Sequence, residues 1–76
     1  MNKRKIDLHG IRLSDVDKIL DSLIIDALAN GGGQIEVITG RGILQDTIID
    51  KCKKLYNYNA RTSINNSGVI VIDLEN

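Results

Sequence analysis

The chain contains a single histidine, His9, and an aspartate stands two positions before it in the stretch Arg4-Lys5-Ile6-Asp7-Leu8-His9-Gly10. An imidazole titrates near neutral pH, so His9 can give or take a proton. A carboxylate beside it can orient the ring and favour its charged form. A second stretch, Thr39-Gly40-Arg41-Gly42, offers different chemistry. Glycines ahead of a helix bring backbone N–H groups and the positive end of the helix dipole to one point. The fork of a guanidinium such as Arg41 matches phosphate oxygens. Cleaving a phosphodiester bond needs proton transfer and stabilisation of charge on the phosphate, and the two stretches supply one each. Alone, each is a common feature of strand ends and turns, so the pair acts as a site only if both open onto one cleft.

The elements that must bring them together follow from periodicity. Lys5 to His9 alternates, with Ile6 and Leu8 on one face and Asp7 and His9 on the other, and reads as a half-buried strand ended by Gly10. A period of two makes Asp7 and His9 neighbours. Val16, Ile19, Leu20, Leu23, Ile24, Ala27 and Leu28 recur at helical spacing. Ser14 is the expected N-cap, Asp15 and Asp17 suit the first turn, and Asn30-Gly31-Gly32-Gly33 stops the helix. Gln34 to Thr39 reads as an inner strand. A second helix is expected from Gln45 to Tyr56, with Leu44, Ile48, Ile49, Cys52 and Leu55 as its apolar stripe. Asn57 to Asn59 reads as a turn and Arg61 to Ile64 as a short strand. Asn65 to Gly68 then reads as a hairpin connection and Val69 to Leu74 as the last strand.

The order β-α-β-α-β-β predicts an α/β fold: a two-layer sandwich in one domain over residues 1–76, with a four-stranded mixed sheet and both helices on one face. The first two strands are expected to be parallel neighbours. Their C-terminal ends then share the sheet edge where α/β proteins place ligand sites.

Composition narrows the function. The chain has 76 residues, 42% hydrophobic and 26% charged, which suits one globular domain with a small core. Tyr56 and Tyr58 are its only aromatic residues, so a base-stacking platform is not expected and nucleic acid would be recognised by backbone and shape. The lone Cys52 excludes an internal disulfide and a cysteine-clustered zinc site, and reads as a core residue. No apolar run approaches the roughly 18 residues of a membrane span, and the N-terminus shows no signal peptide, so a cytoplasmic protein with no membrane partner is expected. Formal net charge is zero, which argues against coating nucleic acid by bulk electrostatics. Local basic groups remain in Lys3, Arg4 and Lys5, and again in Lys51, Lys53 and Lys54. The second group reads as a solvated face that compensates a helix C-terminus.

The pairing of Ile6-Asp7-Leu8-His9-Gly10 with Ile38-Thr39-Gly40-Arg41-Gly42 resembles the Smr, or small MutS-related, domain. That family shows an L-D-L-H-G type motif at its first strand and an H-G-x-G or T-G-x-G motif after its second. The resemblance runs from Lys5 to Leu74, through the element order and the closing Ser67-Gly68-Val69-Ile70-Val71. It implies a fold similar to the C-terminal domain of translation initiation factor 3. It also implies a nuclease-type domain acting on DNA or RNA, some members cutting messenger RNA at stalled ribosomes. Carried over, the family's aspartate and histidine fall on Asp7 and His9, and its glycine loop on Thr39, Gly40, Arg41 and Gly42. The chain departs from the pattern at Ile43-Leu44-Gln45-Asp46, where many members have a His-Ser pair and further glycine, and at Ile70, where threonine is common.

The function expected from residues and resemblance together is an endoribonuclease. RNA carries its own nucleophile, the 2′-hydroxyl, so Asp7, His9 and a phosphate loop suffice without a cofactor. A two-metal route would want several converging acids. The alternatives are a single divalent metal held by Asp7 and His9, a DNA-nicking enzyme, and a non-catalytic module docking on RNA or the ribosome. Phosphate and nucleic-acid contacts are expected from Lys3, Arg4, Lys5, Gly10, Arg12, Thr39, Gly40, Arg41 and Gly42, with Arg61 as a further partner. A monomer or weak homodimer is expected.

Overall fold

The computed structural model describes residues 3–74. Its elements are β1 (Lys3–Asp7), a 3-10 turn (Leu13–Asp15), α1 (Val16–Ala29), β2 (Gln34–Ile38), α2 (Ile43–Leu55), β3 (Asn59–Thr62) and β4 (Val69–Asp73). The strands form one mixed sheet in the order β1-β2-β4-β3. β1 and β2 are parallel, and β4 runs antiparallel to both β2 and β3. The architecture is the expected α/β sandwich.

Alternation in β2 assigns the two faces of the sheet. Ile35 and Val37 are fully buried while Gln34, Glu36 and Ile38 are half-buried. Register places Ile35 beside Ile72 and Val37 beside Ile70, so four branched side chains share one face. Val16, Leu20, Ile24 and Ala27 of α1 and Ile48 and Cys52 of α2 close that face into a single core. An ion pair of 2.6 Å between Lys51 Nζ and Asp17 Oδ1 ties the two helices together. The opposite face carries no helix. Lys5, Glu36, Val71 and Arg61 form one row across it, and Asp7, Ile38 and Val69 form the next row towards the C-terminal edge of β1 and β2.

Glycine ends α1 as its conformational freedom predicts. Gly31 adopts φ 100°, its N–H donates to Leu28 O, and the N–H of Gly32 reaches back to Ala27 O at 2.8 Å. These are the paired bonds of a Schellman cap. The start of α1 differs from expectation. Asp15 N–H donates to Arg12 O and winds Ser14 into the 3-10 turn, so Asp15 becomes the N-cap, without a capping side-chain bond. β1 ends at Asp7 rather than His9, and β3 spans Asn59–Thr62 rather than Arg61 to Ile64. α2 begins at Ile43, ahead of the expected Gln45, and Leu55 is exposed rather than packed. Among the described residues no helix is long and apolar enough to cross a membrane.

Candidate active site at the strand ends

Past Asp7 the chain leaves the sheet after one further pairing bond, from Leu8 N–H to Ile38 O at 2.8 Å. It then turns sharply. Ile11 N–H donates to Leu8 O, and Gly10 takes φ 83° in the third position of the turn. That geometry is a type II turn, in which the third residue needs the positive φ that glycine adopts without penalty. His9 occupies the outer corner with its side chain 71% exposed. Asp7 and His9 are therefore brought together by a turn, not by the pleat of a strand as the alternation suggested. Asp7 Oδ1 accepts two hydrogen bonds from His9: one from the backbone N–H at 3.1 Å and one from ring Nδ1–H at 2.5 Å.

Those bonds set the protonation states. The side-chain hydrogen bond with Asp7, reinforced by its charge, raises the imidazole above its ordinary value. The same bond, followed by the bond from the His9 backbone, lowers the Asp7 carboxyl. An ionised carboxylate can only accept, so Nδ1 carries the proton and Nε2 is the ring atom left to exchange one with a substrate.

The second turn arises on the same edge because Asp7 and Ile38 are register partners on parallel strands. After Ile38, the N–H groups of Thr39 and Gly40 both donate to Gly68 O, at 2.9 and 3.0 Å. Gly42 caps α2 with φ 126°, a conformation that side-chain-bearing residues avoid. A glycine cap brings no side chain, so the first amides of α2, at Ile43, Leu44 and Gln45, lack a side-chain acceptor. Asp46 in the first turn answers part of the helix dipole. Arg41 projects between the two glycines and is exposed.

A third segment, the loop Asn65–Gly68, completes the edge. Gln45 is buried and donates from Nε2 to Ser67 O at 2.6 Å, fastening the start of α2 to this loop. The sequence marked Gln45 only as the start of a helix and as part of a departure from the family pattern, and gave its side chain no role. The signal was present: it lies at helical spacing from Ile48, Ile49 and Cys52, so a polar residue sits on the apolar stripe and must find a partner.

The remaining candidates divide. Gly10, Gly40, Arg41 and Gly42 lie in the turns at this edge, Arg12 is an extended residue between the first turn and the 3-10 turn, and Lys5 is exposed on the helix-free face below Asp7. Arg4 points to the other face: its strand partner is Ile35, and its Nη1 donates to Asp26 Oδ2 of α1 at 2.7 Å. Thr39 is buried, and its hydroxyl donates to Gly40 O at 2.7 Å, which shapes the turn and leaves no proton for a phosphate. The Lys3 side chain lies outside the described residues. Lys54 pairs with Asp50 one helical turn back, and Lys51 with Asp17. Among the described residues no three His, Cys, Asp or Glu side chains stand close enough to hold a metal ion, so Asp7 and His9 would offer two ligands only.

Compared with known protein families, residues 6–75 match the family model described as Smr domain. No curated protein matches the chain.

Proposed function

The chain belongs to the Smr domain family, which is associated with nuclease-type function on nucleic acid, and from that premise we propose that it is an endoribonuclease working at the edge formed by the His9 and Arg41 turns. The observation that carries the proposal is the hold of Asp7 Oδ1 on His9 Nδ1, on a turn whose neighbour in register is the Gly-Arg-Gly turn.

RNA would bind with a phosphate against Arg41 and the first amides of α2, which take the charge developing on its oxygens. Lys5 and Arg12 would hold the flanking backbone. The adjacent 2′-hydroxyl attacks that phosphorus and releases its proton to water. The P–O5′ bond breaks as the imidazolium of His9 protonates the leaving oxygen from Nε2. The products are a 2′,3′-cyclic phosphate and a 5′-hydroxyl. Asp7 supports this step by holding Nδ1 and favouring the charged form of the ring. Its own lowered pKa makes it a poor base, so its role is positioning and charge.

Labelled single-stranded RNA, structured RNA and supercoiled DNA, each with and without chelator, test this against a His9→Ala variant. Cleavage of RNA to cyclic-phosphate ends, persisting in chelator and reduced about 10²- to 10⁴-fold in His9→Ala, is expected. Equal nicking of DNA would rule out the 2′-hydroxyl route. Loss of cutting in chelator would point to a metal on Asp7 and His9. Binding by both proteins with cleavage by neither would make the edge a docking surface.

A further inference from the structure

The cleavage step leaves most of the helix-free sheet face unused. Between β2 and β3 on that face lies a groove of about 200 Å³ over Val71. Gln34 and Glu36 line it on one side and Arg61 on the other, and Ser63, Ile64 and Asn65 close it from the loop after β3. Ile64 is 99% exposed, the barest large apolar side chain among the described residues. The groove thus has aliphatic surface at its floor and rim, with hydrogen-bonding groups around its sides. Flat heteroaromatic rings have the complementary make-up, with apolar faces and polar edges. At about 200 Å³ it is smaller than a drug-sized pocket of roughly 300–1,000 Å³, which suits one ring system rather than a whole nucleotide chain.

The charged groups choose among bases. Glu36 and Arg61 belong to one row, on either side of Val71. Guanine presents O6 and N7 as acceptors, the pair a guanidinium grips best, and N1–H and N2–H as donors for a carboxylate. A carboxylate has room for several hydrogen bonds, so Glu36 can take part alongside its contacts within the protein. The other three bases offer only part of this set.

The groove also stands in reach of the cleavage edge. Asp7, Ile38 and Val69 share a row, and Ser63 continues it by donating to Val69 O at 2.8 Å. Three strand spacings make about 14 Å from Asp7 to Ser63. Against a stacked rise of 3.4 Å per nucleotide, that places a bound base about two to four nucleotides from the scissile phosphate, depending on how far the strand is stretched.

We propose that this groove is a nucleobase subsite selective for an unpaired guanine of the substrate strand. The proposal rests on the edge being a nucleic-acid site, and the test separates the two. Backbone and side-chain amide shifts of the intact protein would be followed by NMR while each of the four ribonucleosides, and separately inorganic phosphate, is added. Guanosine is expected to shift Gln34, Ser63 and Asn65 more strongly than the other nucleosides, and phosphate to shift Gly40, Gly42 and Ile43. Arg61→Ala, at an exposed position, should weaken guanosine at least about five-fold, the lower end of what a bidentate base contact is worth, and leave the phosphate response intact. Ile64→Ser should weaken it without changing the preference. Phosphate shifts at the turn with no nucleoside shifts in the groove, or an equal response to all four nucleosides, would overturn the subsite while leaving the edge standing. Nucleoside shifts in the groove without phosphate shifts at the turn would keep the subsite and remove the phosphate loop.

Discussion

The two turns that meet at the strand ends are built from opposite materials. The Leu8–Ile11 turn draws its chemistry from side chains: Asp7 and His9 bond to each other, and both are exposed. The Thr39–Gly42 turn draws it from backbone, through the φ values of Gly40 and Gly42 and the grip of Gly68 O on two amides. The first can be altered at Asp7 and His9 without disturbing the fold, because both side chains are exposed, while Leu8 and Ile11 anchor the turn on the core. The second cannot, because the bonds that aim its amides also join β2, α2 and the β3–β4 loop. One half of the site is an ornament on the fold, and the other half is the fold.

The sharpest way to break that contrast is a pair of substitutions. His9→Ala should abolish about 10²- to 10⁴-fold of cleavage yet leave the melting temperature close to that of the native protein, as expected for an exposed side chain. Gly42→Ala should do the reverse in kind. Apart from its two chain neighbours, nothing lies within 4 Å of the added β-carbon, so its cost is backbone strain, about 1–3 kcal/mol. Thermal melts and cleavage rates measured on both variants decide the matter. A His9→Ala protein that melts as early as Gly42→Ala would mean the first turn is structural too.

The same division explains what could be read in advance. The core of the fold was legible, because hydrophobic period identifies the face of α1, β-branched apolar composition marks β2 as an inner strand, and the glycines after Asn30 announce a cap. The adjacency of the two strand ends was legible as well, since it needs only that β1 and β2 be parallel neighbours. What escaped was decided by hydrogen bonds that leave no period in the sequence. The carbonyl of Arg12 displaced Ser14 from its capping role, and the type II turn replaced two residues of expected strand. Arg4 was missed for another reason: it looked like one of three equivalent cations, although its alternation with Ile6 already turns it towards the core face, α1 and Asp26. Thr39 looked like a phosphate donor, but a hydroxyl beside a tight turn finds a carbonyl first.

Two smaller effects sharpen the comparison. With the Asp7 charge removed in Asp7→Asn, the His9 imidazole should titrate lower, towards its ordinary value near 6.5. Because the chain has one histidine, a single ring-proton titration curve reports it directly. The upper limb of the pH–rate profile should move down with it, and an unmoved profile would mean that His9 is not the acid. Binding to uncleavable single-stranded RNA should show a shallow salt dependence. If Lys5, Arg12 and Arg41 are the phosphate contacts, the slope of log K against log salt should be about −2, from about −0.7 per contact. Arg41→Ala should make it shallower by about 0.7, and a slope unchanged by that variant would remove Arg41 from the phosphate.

The smallest effect concerns stability and pH, where the two turns should differ in kind. The folded-state pKa of His9 is raised, so its contribution is whole below about pH 6.5 and fades as pH rises through the folded value. The folded-state pKa of Asp7 is lowered, so its contribution is whole above about pH 3.9 and fades as pH falls through the folded value. The pair therefore stabilises the turn fully between those two pH values and progressively less outside them, and both groups are exposed, so the amplitude is small. Cys52 does not titrate in that window, since burial pushes its thiol up to about 11. Melting temperature of the native protein minus that of Asp7→Asn, plotted from pH 3 to 9, should trace a low bell, because the other carboxylates cancel in the difference. The same plot against Gly42→Ala should be a flat offset, since backbone strain carries no proton. Two flat lines would mean that the bond between Asp7 and His9 does not hold the turn, and two bells would tie the glycine turn to the state of the imidazole.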